Sequence, residues 1–169
     1  DPADNIINAL RILTFDASGN CVGNVRYLLG ASDGKIIQHP INVGTYNFVF
    51  IANEPHYVDD EAILNGISHY SELNSIAFPE KSFVAEDFIP MMQAIDNVQV
   101  LPNGGGVSIN GGTTQSILQL RLQRLAARVD ILLEAEEDLE TAFTGITFSN
   151  VPDRVPLLTS YSGTSPQRT

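Results

Sequence analysis

The chain has 169 residues, 43% of them apolar, and sets 20 acidic against 9 basic side chains for a formal net charge of −11. That suits a globular domain with its own core and disfavours nucleic acid or an anionic membrane surface as partner, because both call for a basic face. No apolar run of about 18 residues is present to span a bilayer, no signal-peptide succession opens the chain, and the single Cys21 excludes an internal disulfide.

In chain order, "IINALRILTFDASGNCVGNVRYLLG" predicts a strand, a turn at residues 16–20 and a second strand. "INVGTYNFVFIANEP" predicts a strand with Tyr46, Phe48 and Phe50 on one face and Val49 and Ile51 on the other. Both faces are apolar, as expected where a sheet is covered on each side. "VDDEAILNGISHYSELNSIAF" predicts a helix capped by Asp59 or Asp60, with Ile63, Leu64 and Ile67 as its buried stripe and Pro79 closing the segment. "VQVLPNGGGVSINGGTTQSILQLRL" alternates and turns on Gly and Asn, which predicts a hairpin rather than a phosphate cradle. "TAFTGITFSNVPDRVPLL" supplies a late strand, and residues 158–169 have the small, polar composition of a linker.

The segment "LQLRLQRLAARVDILLEAEED" (118–138) reads two ways. Leu118, Leu122, Leu125, Val129 and Leu132 make a helical stripe, and the residue types are good helix formers. Glu134, Glu136, Glu137 and Asp138 would then crowd the negative end of the helix dipole. As a strand, the apolar positions shift from even (118, 120, 122) to odd (125, 127, 129, 131, 133), so a single buried face needs a bulge near Gln123 to Leu125. The residues alone leave both readings open.

Chemistry is sparse. No nucleophile elbow, P-loop or zincin motif is present. His39, His56 and His69 lack ligand spacing, and the acidic run 134–140 lacks the glycine of a Ca²⁺ loop, so no metal or cofactor site is expected. Cys21 is expected to be a small packed side chain. Arg124, Arg128 and Asp130 are expected to share one strand face as structural pairs.

"VGTYNFVFIANEP" (43–55), "FIPMM" (88–92), "LQRLAARVDILL" (122–133) and "FTGITFSNVP" (143–152), in that order, resemble the N-terminal domain of FimA-like fimbrillins, the type V pilin family of Bacteroidales. The opening "IINALRILTFDASGNCVGN" resembles the start of that domain. The resemblance implies a mainly β fold: a transthyretin-like β-sandwich of about seven strands with one or two short helices, over residues 1–157, followed by a linker at 158–169. It implies that 117–133 is a bulged strand burying Leu118, Leu120, Leu122, Leu125, Ala127, Val129 and Ile131 on one face.

The same resemblance implies a structural subunit of a cell-surface fimbria and not an enzyme. It would reach the outer-membrane surface as a processed lipoprotein precursor and serve adhesion. Its partners would be other pilin subunits, with host or bacterial surface ligands besides. Subunits would join by strand addition into a groove vacated when an arginine-specific protease removes a leading strand. The chain starts a few residues before "IINALRILTF" and is expected to be the processed form, with Ile7, Leu10, Ile12, Leu13 and Phe15 lining the groove. A carbohydrate- or ligand-binding sandwich module of a surface lipoprotein is the alternative, and it requires aromatics exposed in a concave patch.

Overall fold

The computed structural model describes residues 6–32, 36–54, 63–79, 88–125, 145, 147, 149 and 154–158. The fold is mainly β and antiparallel. Strands β1 (Ile7–Phe15), β2 (Cys21–Ser32), β3 (Gly44–Ala52), β5 (Met91–Val100) and β6 (Val107–Ile109) lie in the order β2-β1-β3-β5-β6. The two-residue β7 (Gln123–Arg124) pairs with the β6-side edge of β5, and β4 (Ala77–Pro79) pairs with β8 (Arg154–Pro156) in a separate ribbon.

Strand β1 pairs along its edges with β2 and β3, and its largely apolar sequence follows from the side-chain clusters that cover both of its faces. Its even residues Leu10 and Ile12 join Phe48, Phe50, Met91, Ile95 and Val98 in one cluster. Its odd residues Leu13 and Phe15 join Val49, Ile51 and Met92 in a second cluster on the opposite face. Segment 63–78 and the residue after β8 cover that second face with Leu64, Ile67, Leu73, Ile76, Phe78 and Leu157. A sheet buried on both faces is consistent with the expected sandwich. The predicted split of Phe48 and Phe50 from Val49 and Ile51 is present, with Phe48 and Phe50 stacked at 5.6 Å.

The turn between β1 and β2 falls where the sequence put it. Asp16 accepts from the backbone amides of Ser18 and Asn20 and from the Asn20 side chain, and these bonds hold its carboxyl below the ordinary carboxylate range. Gly19 turns with φ +86, and a Cβ there would lie 2.8 Å from the His69 ring. That ring bonds Ser18 O through Nε2 (3.1 Å) and Ser71 through Nδ1 (2.8 Å), tying the turn to the following layer. Gly19→Ala is therefore expected to destabilise by about 1–3 kcal/mol in urea unfolding. Adding His69→Ala should recover the steric part and leave the φ penalty. An unchanged midpoint for Gly19→Ala would refute the clash.

Two elements differ from expectation. The start of the helix expected to be capped by Asp59 or Asp60 lies outside the described residues; among the described residues, 63–65 are helical, Ile67 lies beyond the helix, and a 3-10 turn at Tyr70–Ser75 and then β4 follow before Pro79 closes the segment. Gly66 interrupts the helix, and the half-buried His69 caps the 3-10 turn by accepting from Ser71 N. Leu64 and Ile67 are buried as predicted, whereas Ile63 is exposed.

The bulged strand also differs. Residues 117–122 form no ladder, and pairing begins at Gln123–Arg124 against Met92–Met91. Leu118, Leu120 and Leu122 pack on the first cluster, and Leu125 packs on the second. Between Leu122 and Leu125 the shift of parity thus moves the apolar side chain from one covered face of the sheet to the other, and no inserted residue is needed to account for that step. Residues 126–133, the acidic run 134–140, His56, Arg128, Asp130 and all of the expected linker but Leu158 lie outside the described residues.

Candidate functional site: an apolar groove with strand-like walls

A groove of about 800 Å³ runs over the first-cluster face of the sheet. Leu10 and Ile12 of β1, Phe48 and Phe50 of β3 and Met91 of β5 line its sheet side. Two chain segments, 36–41 and 116–122, form its walls.

Both walls have the period of a strand without being one. In the first, Ile37 and Ile41 pack on the cluster while Ile36, Gln38 and Pro40 are exposed. In the second, Leu118, Leu120 and Leu122 pack on the cluster while Ile117, Gln119 and Arg121 are exposed. Such alternation fits one more pair of strands lying across the sheet. Yet neither segment enters a ladder, and the second is held by a side chain, with Arg121 N donating to Gln93 Oε1 at 2.6 Å. Edge-like backbone beside apolar surface is the chemistry that recruits a further strand.

Of the five residues expected to line a groove, Ile7, Leu10 and Ile12 line this one. Leu13 and Phe15 are fully buried in the second cluster instead, because successive side chains of a strand point to opposite faces. Sequence reasoning missed the wall at 36–41. Its signal was the alternation of Ile37, His39 and Ile41, hidden by Pro40, which argues against a strand interior.

His39 is the one imidazole in the groove lining. Its Nδ1 lies 2.8 Å from Tyr27 Oη, and burial holds its pKa below the ordinary histidine value. Away from the groove, Cys21 packs against the second cluster, its thiol pushed up by burial and bonded to Gly23 O. Arg124 is exposed on β7.

On the opposite face sits a buried charge network. Arg11 of β1 donates from Nε and Nη2 to both oxygens of Glu54 (2.6 and 2.8 Å) and from Nη1 to Asn24 Oδ1 (2.7 Å). Arg26 Nε stands 2.7 Å from the same carboxylate, an ion pair by distance rather than an aligned hydrogen bond. Asn24 in turn donates to Leu64 O, which fastens the covering segment to β2. Arg11 and Glu54 are both buried and bonded to each other, so the chemistry of the network is that of a clamp.

A family model described as major fimbrial subunit protein (FimA) matches residues 1–129. The chain belongs to the FimA major fimbrial subunit family. Among solved structures, a C-terminally truncated form of the tip fimbrial protein Mfa3 from Porphyromonas gingivalis shares the fold at a TM-score of 0.52 and 19% identity. The match covers 73% of this chain and 45% of that one, so the FimA-family chain spans less than half of its structural neighbour. No curated protein matches.

Proposed function

We propose that this FimA-family domain is a structural subunit of a cell-surface fimbria, without catalytic activity, that accepts an extended strand from another subunit in the groove between segments 36–41 and 116–122. One observation carries the reading: the groove has a mainly apolar lining and walls that alternate like strands but join no ladder. Family membership supports the fimbrial context. The division into a domain over 1–157 and a linker, the processed lipoprotein route to the surface and a role in adhesion belong to the same proposal. Phe48 and Phe50 are buried to 5% and 4% exposure and Tyr46 packs partly buried beside them, which favours a core role for these aromatics over a sugar platform.

The test is a soluble peptide of seven residues with alternate Val or Leu, titrated into the protein during thermal unfolding. Occupancy at a hundredfold excess over Kd should stabilise by about 2.7 kcal/mol, raising Tm by roughly 5–10 °C. Ile37→Asp places a charge on the groove wall and should abolish the rise while leaving far-UV dichroism native. Absence of any shift in the unmodified protein would sink the acceptor reading.

A further inference from the structure

The lining of the groove is apolar along the sheet and along the inward side of the 116–122 wall, but not along the inward side of the 36–41 wall. There the alternating positions are Ile37, His39 and Ile41, so an imidazole stands where the pattern calls for a third apolar side chain. The ring is positioned rather than loose. Its Nδ1 is engaged by the hydroxyl of Tyr27 at 2.8 Å, and the two rings meet edge to face with centroids 6.0 Å apart. One nitrogen is thereby occupied. Nε2 has no hydrogen-bond partner among the described residues.

The consequence appears only when the groove is filled. An incoming strand that is wholly apolar on its inner side would strip water from Nε2 and leave that nitrogen buried and unpaired. Such a loss is of the size that separates good ligands from poor ones. An incoming strand with one hydrogen-bonding side chain at the matching inward position would satisfy Nε2 and escape the loss. We propose that His39 is a specificity residue of the groove, selecting an extended partner strand that is apolar at its other inward positions and carries one hydrogen-bonding side chain facing the imidazole. The inference rests on the acceptor reading above and adds to it the chemistry of the partner. It is selection through an unsatisfied group imposed on the wrong partner, which discriminates more sharply than apolar fit alone. Burial disfavours the charged form of the ring, so the imidazole is suited to reading hydrogen bonding rather than charge. Tyr27 has the positioning role, since its hydroxyl sets which nitrogen remains available.

The experiment uses a set of alternating Leu/Val peptides with polar ends, in which a single inward Leu is replaced by Gln at each position in turn. Glutamine is uncharged, so Arg121 on the opposite wall does not bias the comparison. With the unmodified protein, one Gln position should bind about tenfold or more tighter than the all-apolar peptide, the equivalent of a buried polar group left unpaired. In His39→Leu that preference should vanish, and the all-apolar peptide should become the tightest of the set. In Tyr27→Phe, which leaves the imidazole in place but releases its anchor, the preference should weaken without reversing. If His39→Leu does not fold, the Tyr27→Phe series decides alone. Peptides that bind without any preferred Gln position, or with the same preference in the variants, would overturn the selection and leave the acceptor reading standing. Failure of every peptide to bind would overturn both.

Discussion

Glu54→Gln is expected to lower the unfolding free energy by about 3–5 kcal/mol, a large share of the 5–15 kcal/mol typical of a domain. The carboxylate is 2% exposed and answers two arginines, Arg11 at 3% and Arg26 at 22%. Gln keeps the shape but offers one acceptor oxygen and no charge, so Arg11 on the inner strand β1 stays buried with its charge unopposed. Moving a guanidinium out of water is tolerable only while a carboxylate meets it with aligned hydrogen bonds. Urea unfolding should show a lower midpoint with an unchanged slope, because the folded surface does not change. Arg11→Met in the Glu54→Gln background should recover part of the loss, since it removes the stranded charge. The coupling in that double-mutant cycle separates the pair from its surroundings. A loss below about 1 kcal/mol would mean that water reaches the network and that it is not the clamp described.

Legibility in the sequence followed the range of the interaction. Asp16, Gly19 and Asn20 announced their turn because its hydrogen bonds are local. Strand β3 was legible because alternation is a local property, and Phe48, Phe50, Val49 and Ile51 occupy the faces predicted. The Arg11–Glu54 pair was not legible, since its members stand 43 residues apart and only the β1–β3 pairing brings them together. That Leu10 and Ile12 join one cluster while Leu13 and Phe15 join the other was not legible, because an almost wholly apolar strand does not show that it is an inner strand with two buried faces. The bulge expected near Gln123 to Leu125 rested on a single buried face. Once both faces of the sheet are covered, even and odd apolar positions can each be buried, and the parity of Leu122 and Leu125 needs no inserted residue.

Asn53→Ala should be nearly as damaging as Glu54→Gln, at about 2–4 kcal/mol, and it should act on the groove as well. Asn53 ends β3 with φ +51, a conformation that Asn tolerates better than Ala. Its backbone amide donates to Ala9 O, and its side chain brackets two other stretches of chain. Oδ1 accepts from Asn8 N at 2.8 Å, with a longer approach from Ala9 N, while Nδ2 donates to Ile6 O at 2.7 Å and Ile89 O at 3.1 Å. Alanine removes all the side-chain bonds and leaves those backbone groups unpaired beside the core. The bracketed stretches run directly into Ile7 and Met91, two lining residues of the groove, so the bracket sets the geometry at that end. Asn53→Gly isolates the terms: it restores backbone freedom and should be the milder change by about 1 kcal/mol, yet it still lacks the side-chain bonds. Asn53→Asp keeps the acceptor but turns a second oxygen toward Ile6 O and Ile89 O, so it should fall nearer to alanine than to glycine. Both the alanine and glycine variants should bind the alternating peptide more weakly than the unmodified protein, because the groove end loses its fastening in each. Full-strength peptide binding by Asn53→Gly, alongside the stability loss, would show that the bracket stabilises the sheet without shaping the groove.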